Sequence, residues 1–224
     1  MIELTILMPC LNEEKTVAYC VKKALSFIRE KNIKGEVLVV DNGSIDNSYI
    51  LAENAGARVV RIEEKGYGLA LQFGIKQAKG TYIIMGDCDG SYDFSNLDDF
   101  IEQLRNGKQL VMGNRLNGIE KGAMPCLHKY IGVPILSWLG RIRYKTNIND
   151  FHCGLRGIQK AAFEKISFRS TGMEFASEMI GKAVKEGLNI AEIPIKLYPD
   201  KRNRRSHLRP FRDGLRHLKI LLIN

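Results

Sequence analysis

The chain has 224 residues, 45% of them apolar and 26% charged, with a formal net charge of +9. That length supports one sizeable core, and the balance is that of a globular protein. The sequence contains no apolar run of about 18 residues, which excludes a membrane span within it, and the short acidic start, Met1–Cys10, is no signal peptide. Five cysteines, an odd number without CxxC spacing, argue against both a disulfide framework and a zinc site, and fit a reducing compartment.

In chain order, Leu4–Met8 reads as a buried strand stopped by Pro9. A helix follows over Glu13–Arg29, with Val17, Val21, Ala24, Leu25 and Ile28 at helical spacing. Glu36–Val40 is a second strand ending at Asp41, and Asp46 is the expected N-cap of the next helix. Arg58–Ile62 is a third strand, and Tyr67–Ala78 a helix terminated by Gly80. Thr81–Met85 is a fourth strand ending at Asp87, Ser95–Arg105 a helix, and Gln109–Met112 a further strand. Beyond Gly113 come a polar loop to Met124, an amphipathic helix over Pro125–Arg143, a helix over Met173–Lys185 and a strand over Ile190–Ile195. Strands alternating with helices predict an α/β fold with a mostly parallel sheet, whose ligands sit outside the carboxyl ends of the strands. Three polar segments fall at such ends: Pro9–Glu14, Asp41–Ser44 and Asp87–Asp93.

Asp87-Cys88-Asp89 follows the apolar strand directly. Two carboxylates with one spacer suit Mg²⁺ or Mn²⁺, which can grip a diphosphate, although a lone DxD is ordinarily a turn. Asp93 offers a third carboxylate or a cap for the next helix. Asp41 can accept hydrogen bonds from a nucleobase or ribose, or merely open an Asn-Gly turn. Lys65-Gly66-Tyr67-Gly68 is a glycine-bearing loop before a helix, without the spacing of a P-loop or a dinucleotide fingerprint. His128 and His152 read as helix-surface and loop residues.

From Lys196 to Asn224, nine Lys and Arg stand against two Asp, so this segment carries seven of the nine net charges. It calls for an anionic partner. Strand-end carboxylates and the lack of any RNA-binding or zinc-finger signature count against nucleic acid. A helix starting after Pro210 would place Phe211, Leu215, Leu218 and Leu222 on one face, with Arg212, Arg216 and Lys219 beside it, as a membrane-surface helix does. Packing of that stripe on the protein's own core is the alternative.

Together the segments PCLNEE (9–14), VVDNGSIDNS (39–48), KGYGLALQFGIKQAKG (65–80), GDCDGSYD (86–93), GNR (113–115), DFHCGLRG (150–157), GMEFASEM (172–179) and RSHLR (205–209) resemble the family-2 glycosyltransferases of GT-A fold. The narrower resemblance is to the dolichol-phosphate mannose synthase-like, polyprenyl-phosphate glycosyltransferase branch. It implies a Rossmann-like GT-A fold with a C-terminal basic amphipathic helix. It also implies transfer of a hexose from a UDP- or GDP-sugar (UDP-glucose or a related UDP-hexose ahead of GDP-mannose) to undecaprenyl or dolichyl phosphate. The reaction would use Mg²⁺ or Mn²⁺ at the cytoplasmic face of a membrane, with the protein peripheral or anchored by helices beyond this chain. Homo-oligomerisation stays open.

Residue by residue, the resemblance implies nucleoside contacts for Pro9, Leu11, Asn12, Glu13 and Asp41, and donor contacts for Lys65, Gly68 and Cys88. Asp87 faces the ribose or sugar, Asp89 holds the metal with Asp87 beside it, and Arg115 serves a phosphate. Asp150, Arg156 and Glu178 line the sugar and acceptor side, and Arg202, Arg204, Arg205, Ser206 and Arg209 belong to a loop closing over the diphosphate. The implied division is a glycosyltransferase domain over 1–206, with a nucleotide-sugar half (1–113) and an acceptor half (114–206), followed by a membrane-proximal segment (207–224). A transferase with a soluble or polysaccharide acceptor is the alternative, with Asp150 or Glu174 as its base.

Overall fold

The computed structural model describes residues 1–202 and 210–223. Among them, the strands β1 (Leu4–Cys10), β2 (Gly35–Asp41), β3 (Arg58–Arg61), β4 (Tyr82–Met85), β5 (Leu110–Asn114), β6 (Arg156–Gln159) and β7 (Ile190–Pro194) form one sheet in the order β3-β2-β1-β4-β6-β5-β7. β6 runs antiparallel to both neighbours, β4 and β5, while the other pairings are parallel. The chain therefore winds outward from β1 to β3, returns, and continues on the other side from β4. The β1/β4 junction is the switch point at which open α/β sheets leave a crevice.

The helices are α1 (Val17–Glu30), α2 (Ser48–Asn54), α3 (Tyr67–Gln77), α4 (Asp98–Arg105), α5 (Val133–Tyr144), α6 (Lys160–Phe163), α7 (Phe175–Lys185) and α8 (Pro210–Ile223), with one π-type turn over His128–Gly132 before α5. They cover both faces of the sheet. Leu4, Ile6 and Met8 of β1 pack on one face with Val17, Phe27 and Phe100, while Leu7 turns to the other, with Leu71, Phe151 and Phe175. This period-two division buries both faces of the central strand, each large apolar side chain contributing about 1.5–3 kcal/mol. Buried Thr5 is satisfied by donating to Glu36 Oε1 (3.0 Å) and accepting from the Gly80 N–H (2.9 Å).

The departures from the expected boundaries have local causes. The first helix begins at Val17, because residues 11–14 are drawn into a loop in which Asn12 takes a left-handed φ of 56°. The helix expected from Ser95 begins at Asp98, because Asp93 accepts the Ser95 N–H in a turn (3.2 Å). Asp46 sits one residue before the N-cap Asn47, yet still accepts the Ser48 N–H at 3.0 Å. Gly80 is not a helix-terminating glycine in the left-handed region. A Cβ there would lie 2.5 Å from the Thr5 nitrogen, so it permits close approach to β1. β6 leaves no clear strand pattern in the sequence, because RGIQ holds a single large apolar residue, Ile158.

α5 packs against α7 and α8. Its buried residues are Ser137, Gly140 and Tyr144. A Cβ on Gly140 would come within 2.6 Å of the Phe151 ring, and one on Gly181 of α7 within 2.5 Å of Tyr144. Among the described residues no helix is long and apolar enough to cross a membrane.

Candidate active site

Register brings the strand ends into line: Cys10 of β1 pairs with Asp41 of β2, and Leu7 with Met85 of β4. The loops beyond them are cross-braced by short polar side chains. The Asn12 N–H donates to Ser44 Oγ (2.9 Å) and the Ile45 N–H to Asn12 Oδ1 (2.8 Å), while the Glu13 N–H donates to Ser48 Oγ (2.6 Å). Asn42 ties the next loop in by donating to the Glu64 carbonyl and accepting the Gly66 N–H, both at 2.8 Å. Gly66 and Gly68 let α3 start against the segment before α7, since a Cβ on either would approach the Thr171 or Ser170 carbonyl within 2.6 Å.

These loops enclose a cavity of about 310 Å³ at the switch point. Of the residues expected at the donor site, Pro9, Leu11, Glu13, Lys65, Asp87, Cys88, Asp89 and Arg202 line it. Asn12, Asp41 and Gly68 are not among the residues that line it. Asn42, Tyr67, Met173 and, from α8, Arg212, Asp213 and Arg216 line it without having been expected there. Arg212 and Arg216 are one helical turn apart, so a spacing that would suit a lipid-facing fringe here serves the cavity wall.

Asp87 is partly buried. Loss of solvent and then the neighbouring Asp89 push its pKa up to about 6, against the Tyr67 hydrogen bond and the charges of Arg202 and Arg115. Asp89 is buried, and Arg202 Nη2 stands 3.1 Å from its Oδ2, with Arg202 Nη1 3.5 Å from Glu13 Oε1. Backbone pairing delivers that arginine: the Lys201 N–H donates to the Asp89 carbonyl (2.9 Å) and the Tyr198 N–H to the Ser91 carbonyl (3.0 Å). Arg204, Arg205, Ser206 and Arg209 lie outside the described residues. Asp93 is not on the cavity wall. It accepts from Lys23 Nζ at 2.8 Å and holds the turn at Ser95.

Asp41 is fully buried at the end of β2. Its Oδ1 accepts the Ser44 N–H (3.1 Å), whereas Oδ2 has no hydrogen-bond donor, Arg61 Nε lying 3.2 Å away outside hydrogen-bond geometry. The Arg61 charge compensates that oxygen in part, and its open hydrogen-bonding capacity suits a ligand N–H or hydroxyl.

The residues expected on the acceptor side do not line this cavity. Arg115 and Asp150 form a buried two-pronged pair, Nε to Oδ2 at 2.7 Å and Nη2 to Oδ1 at 2.8 Å. Burial opposes ionisation of Asp150, but the Arg115 charge and hydrogen bonds outweigh it and hold its pKa below the usual carboxylate range. Arg156 is buried and donates to the carbonyls of Cys153, Phe151 and Ala176. Glu178 is buried, caps the Ser170 N–H (2.8 Å) and pairs with Lys182 (2.9 Å). Three of the four are thus saturated by their own protein, while Arg115 still contributes positive charge at Asp87. Glu174 lies nearer the cavity, with Arg216 Nε 3.4 Å from its Oε2.

His152 is no plain loop residue. It meets His217 of α8 edge-on at 4.6 Å between ring centres, and His217 Nδ1 lies 2.9 Å from Ser177 Oγ of α7. Burial is the main cause that lowers both pKa values, His217 to about 4.

Among the described residues no group of three or more His, Cys, Asp or Glu gathers as a metal cage. The arrangement offers one or two carboxylates at a cavity mouth, which fits Mg²⁺ or Mn²⁺ held partly by a ligand's own phosphates. The Arg202 guanidinium on Asp89 marks where positive charge is favoured.

The sequence profile described as Glycosyl transferase family 2 matches residues 5–167. The Low-salt glycan biosynthesis hexosyltransferase Agl6 of Haloferax volcanii is 40% identical over 223 residues, covering 99% of this chain and 53% of the relative. This chain thus spans about half the length of that protein. The Dolichyl-phosphate hexose transferase of the same organism is 29% identical, covering 86% of this chain and 82% of the relative. The crystal structure of glucosyl-3-phosphoglycerate synthase from Mycobacterium tuberculosis in complex with Mn²⁺, UDP and glucosyl-3-phosphoglycerate superposes with a TM-score of 0.77 at 20% identity, covering 99% of this chain and 79% of that one. That likeness establishes the GT-A fold, and the matched profile, covering most of the chain, places the protein in glycosyl transferase family 2.

Proposed function

We propose that the protein transfers a hexose from a nucleotide sugar, UDP-glucose or a related UDP-hexose ahead of GDP-mannose, to a polyprenyl phosphate such as dolichyl or undecaprenyl phosphate at the cytoplasmic face of a membrane. The observation that carries this reading is the pairing of Asp87 and Asp89 with a ring of arginines, Arg202, Arg212 and Arg216, around one cavity. Two relatives named as hexosyltransferases, one of them a dolichyl-phosphate hexose transferase, support it.

In this reading Asp41 and Asn12 serve the nucleoside, Asp41 through the oxygen that lacks a hydrogen-bond donor and Asn12 by bracing the loop. Asp89, with Asp87, would hold a divalent metal, which would supply charge neutralisation for a diphosphate leaving group. Arg202, beside Asp89 at 3.1 Å, is placed to bind the diphosphate. The acceptor phosphate oxygen attacks the anomeric carbon as the bond from that carbon to the nucleoside diphosphate breaks, giving a sugar phosphodiester and free UDP. A phosphate monoester has a second pKa of about 6 and needs no general base. It needs cations, which the arginines supply. The engagement of both Asp150 oxygens with Arg115 agrees with a site that lacks a free base there.

One observation favours the soluble-acceptor alternative: Glu174 Oε2 is buried beside the cavity without a hydrogen-bond donor, its one charged neighbour there being Arg216 at 3.4 Å. Incubating the protein with UDP-glucose, related UDP-hexoses or GDP-mannose, Mn²⁺ and a polyprenyl phosphate tests both readings. A lipid-linked hexose with stoichiometric UDP or GDP is expected. Transfer to soluble acceptors with the lipid phosphate inert would overturn the proposal.

A further inference from the structure

α5 carries a second apolar face that points outward. Its buried residues are Ser137, Gly140 and Tyr144, with Leu136 and Leu139 partly buried against the core, whereas Ile131, Ile135, Trp138 and Ile142 are 50–58% exposed. Their spacing of four, three and four residues makes one continuous stripe that begins in the π-type turn and runs along the helix. A soluble helix places such residues on the core side, and scattered exposed apolar residues do not repeat at helical spacing. On α8, which packs against α5, Leu215 and Leu222 are likewise 67% and 68% exposed. The helix is held instead by Asp213, His217 and Leu221, which are buried.

The charge around the stripe has one sign. Between Glu120 and Asp150 there is no acidic residue, while Lys121, Lys129, Arg141, Arg143 and Lys145 are all present. On α8, Lys219 is also exposed. A second copy of this chain would bring the same basic fringe against itself, whereas anionic phospholipid complements both the charge and the apolar stripe. At 12 residues α5 is about 18 Å long, too short to cross a bilayer and suited to lying in its surface.

We infer that the outward face of α5 docks on an anionic phospholipid surface, with Ile131, Ile135, Trp138 and Ile142 among the acyl chains and the flanking Lys and Arg at headgroup level. The inference deepens the proposed transfer to a lipid phosphate, on which it rests for its purpose alone. α5 packs against α7 and α8, and α8 lines the cavity through Arg212 and Arg216, so docking would hold that wall of the site close to the lipid.

Trp138 is the sole tryptophan, so its emission reports the stripe directly. The test uses vesicles of phosphatidylcholine with and without phosphatidylglycerol, at low and high salt, with no donor or acceptor present. The expected result is a blue shift and co-sedimentation with the anionic vesicles, weakened by salt. The double variant Ile135→Ser, Ile142→Ser should bind about tenfold or more weakly, because two buried apolar side chains are lost. Lys129→Glu with Arg143→Glu should also weaken binding, with thermal melts confirming that both double variants fold. The inference is overturned if Trp138 emission ignores anionic vesicles at low salt or if the serine variant binds like wild type. It is equally overturned if emission is already blue-shifted without lipid in a particle of dimer mass. Vesicle binding without transfer to polyprenyl phosphate would leave docking standing and remove the proposed acceptor. Transfer in detergent without vesicle binding would do the reverse.

Discussion

Asp89 and Arg202 face each other where the proposed metal would sit, so the ion pair and the metal compete for one carboxylate. Asp89→Asn keeps the shape and removes the charge. Turnover with Mn²⁺ should fall by about a hundredfold or more, with little change in thermal midpoint. Near wild-type turnover in the folded variant would exclude the metal role. Asp41→Ala should weaken UDP binding by roughly 1.5–3 kcal/mol in calorimetry, the worth of one hydrogen bond to a charged group. Asp150 separates a structural from a chemical role. Removing one partner of a buried ion pair costs about 3–5 kcal/mol, so Asp150→Ala should show a large loss in a denaturant titration. An unchanged stability with abolished turnover would instead revive Asp150 as a base. At this scale the sequence disclosed the strand-end carboxylates, because their position after apolar runs is itself a pattern. It did not disclose that Asp150, Arg156 and Glu178 are consumed by internal partners, since these are a distant arginine for Asp150, backbone carbonyls for Arg156, and Lys182 with the Arg169 and Ser170 N–H groups for Glu178, none of which a motif marks.

α8 shows why an element can be legible while its orientation is not. Proline at position 210 and the periodicity of 211–222 announced the helix. The apolar stripe implied one attached face, yet the side that docks carries Asp213, His217 and Leu221, because polar anchors on α7 and the Gly172–Glu174 turn select it. His217 enters that contact neutral, with His152, Arg156 and Arg216 around it and Asp213 opposing them. Its pKa falls from 6.5 unfolded to about 4 folded, so only the unfolded state takes up the proton between those values. Stability is therefore complete above pH 6.5 and is lost as pH falls towards 4, by up to about 3 kcal/mol. Hydrogen exchange should show α8 amides exposed at pH 5 well before those of β1, and His217→Phe should abolish that difference. Equal protection of α8 at pH 5 and pH 7 would dismiss the idea.

At the scale of the molecule, the alternation of strands and helices was enough to foresee a mostly parallel sheet with its ligands at the strand ends. The order of the later strands was not legible, because β6 is short, weakly apolar and runs against its neighbours. That strand separates β4 from β5, which are consecutive in the chain but never touch. On a ribosome, residues up to 114 would emerge with both of these edges open and their common partner still some forty residues from synthesis. Unpaired edges invite other chains, so a nascent protein of this design depends on delay or on a chaperone until Arg156–Gln159 arrives. A fragment ending at residue 113 should accordingly aggregate in light scattering, and one reaching residue 202 should stay dispersed, whatever nucleotide is offered.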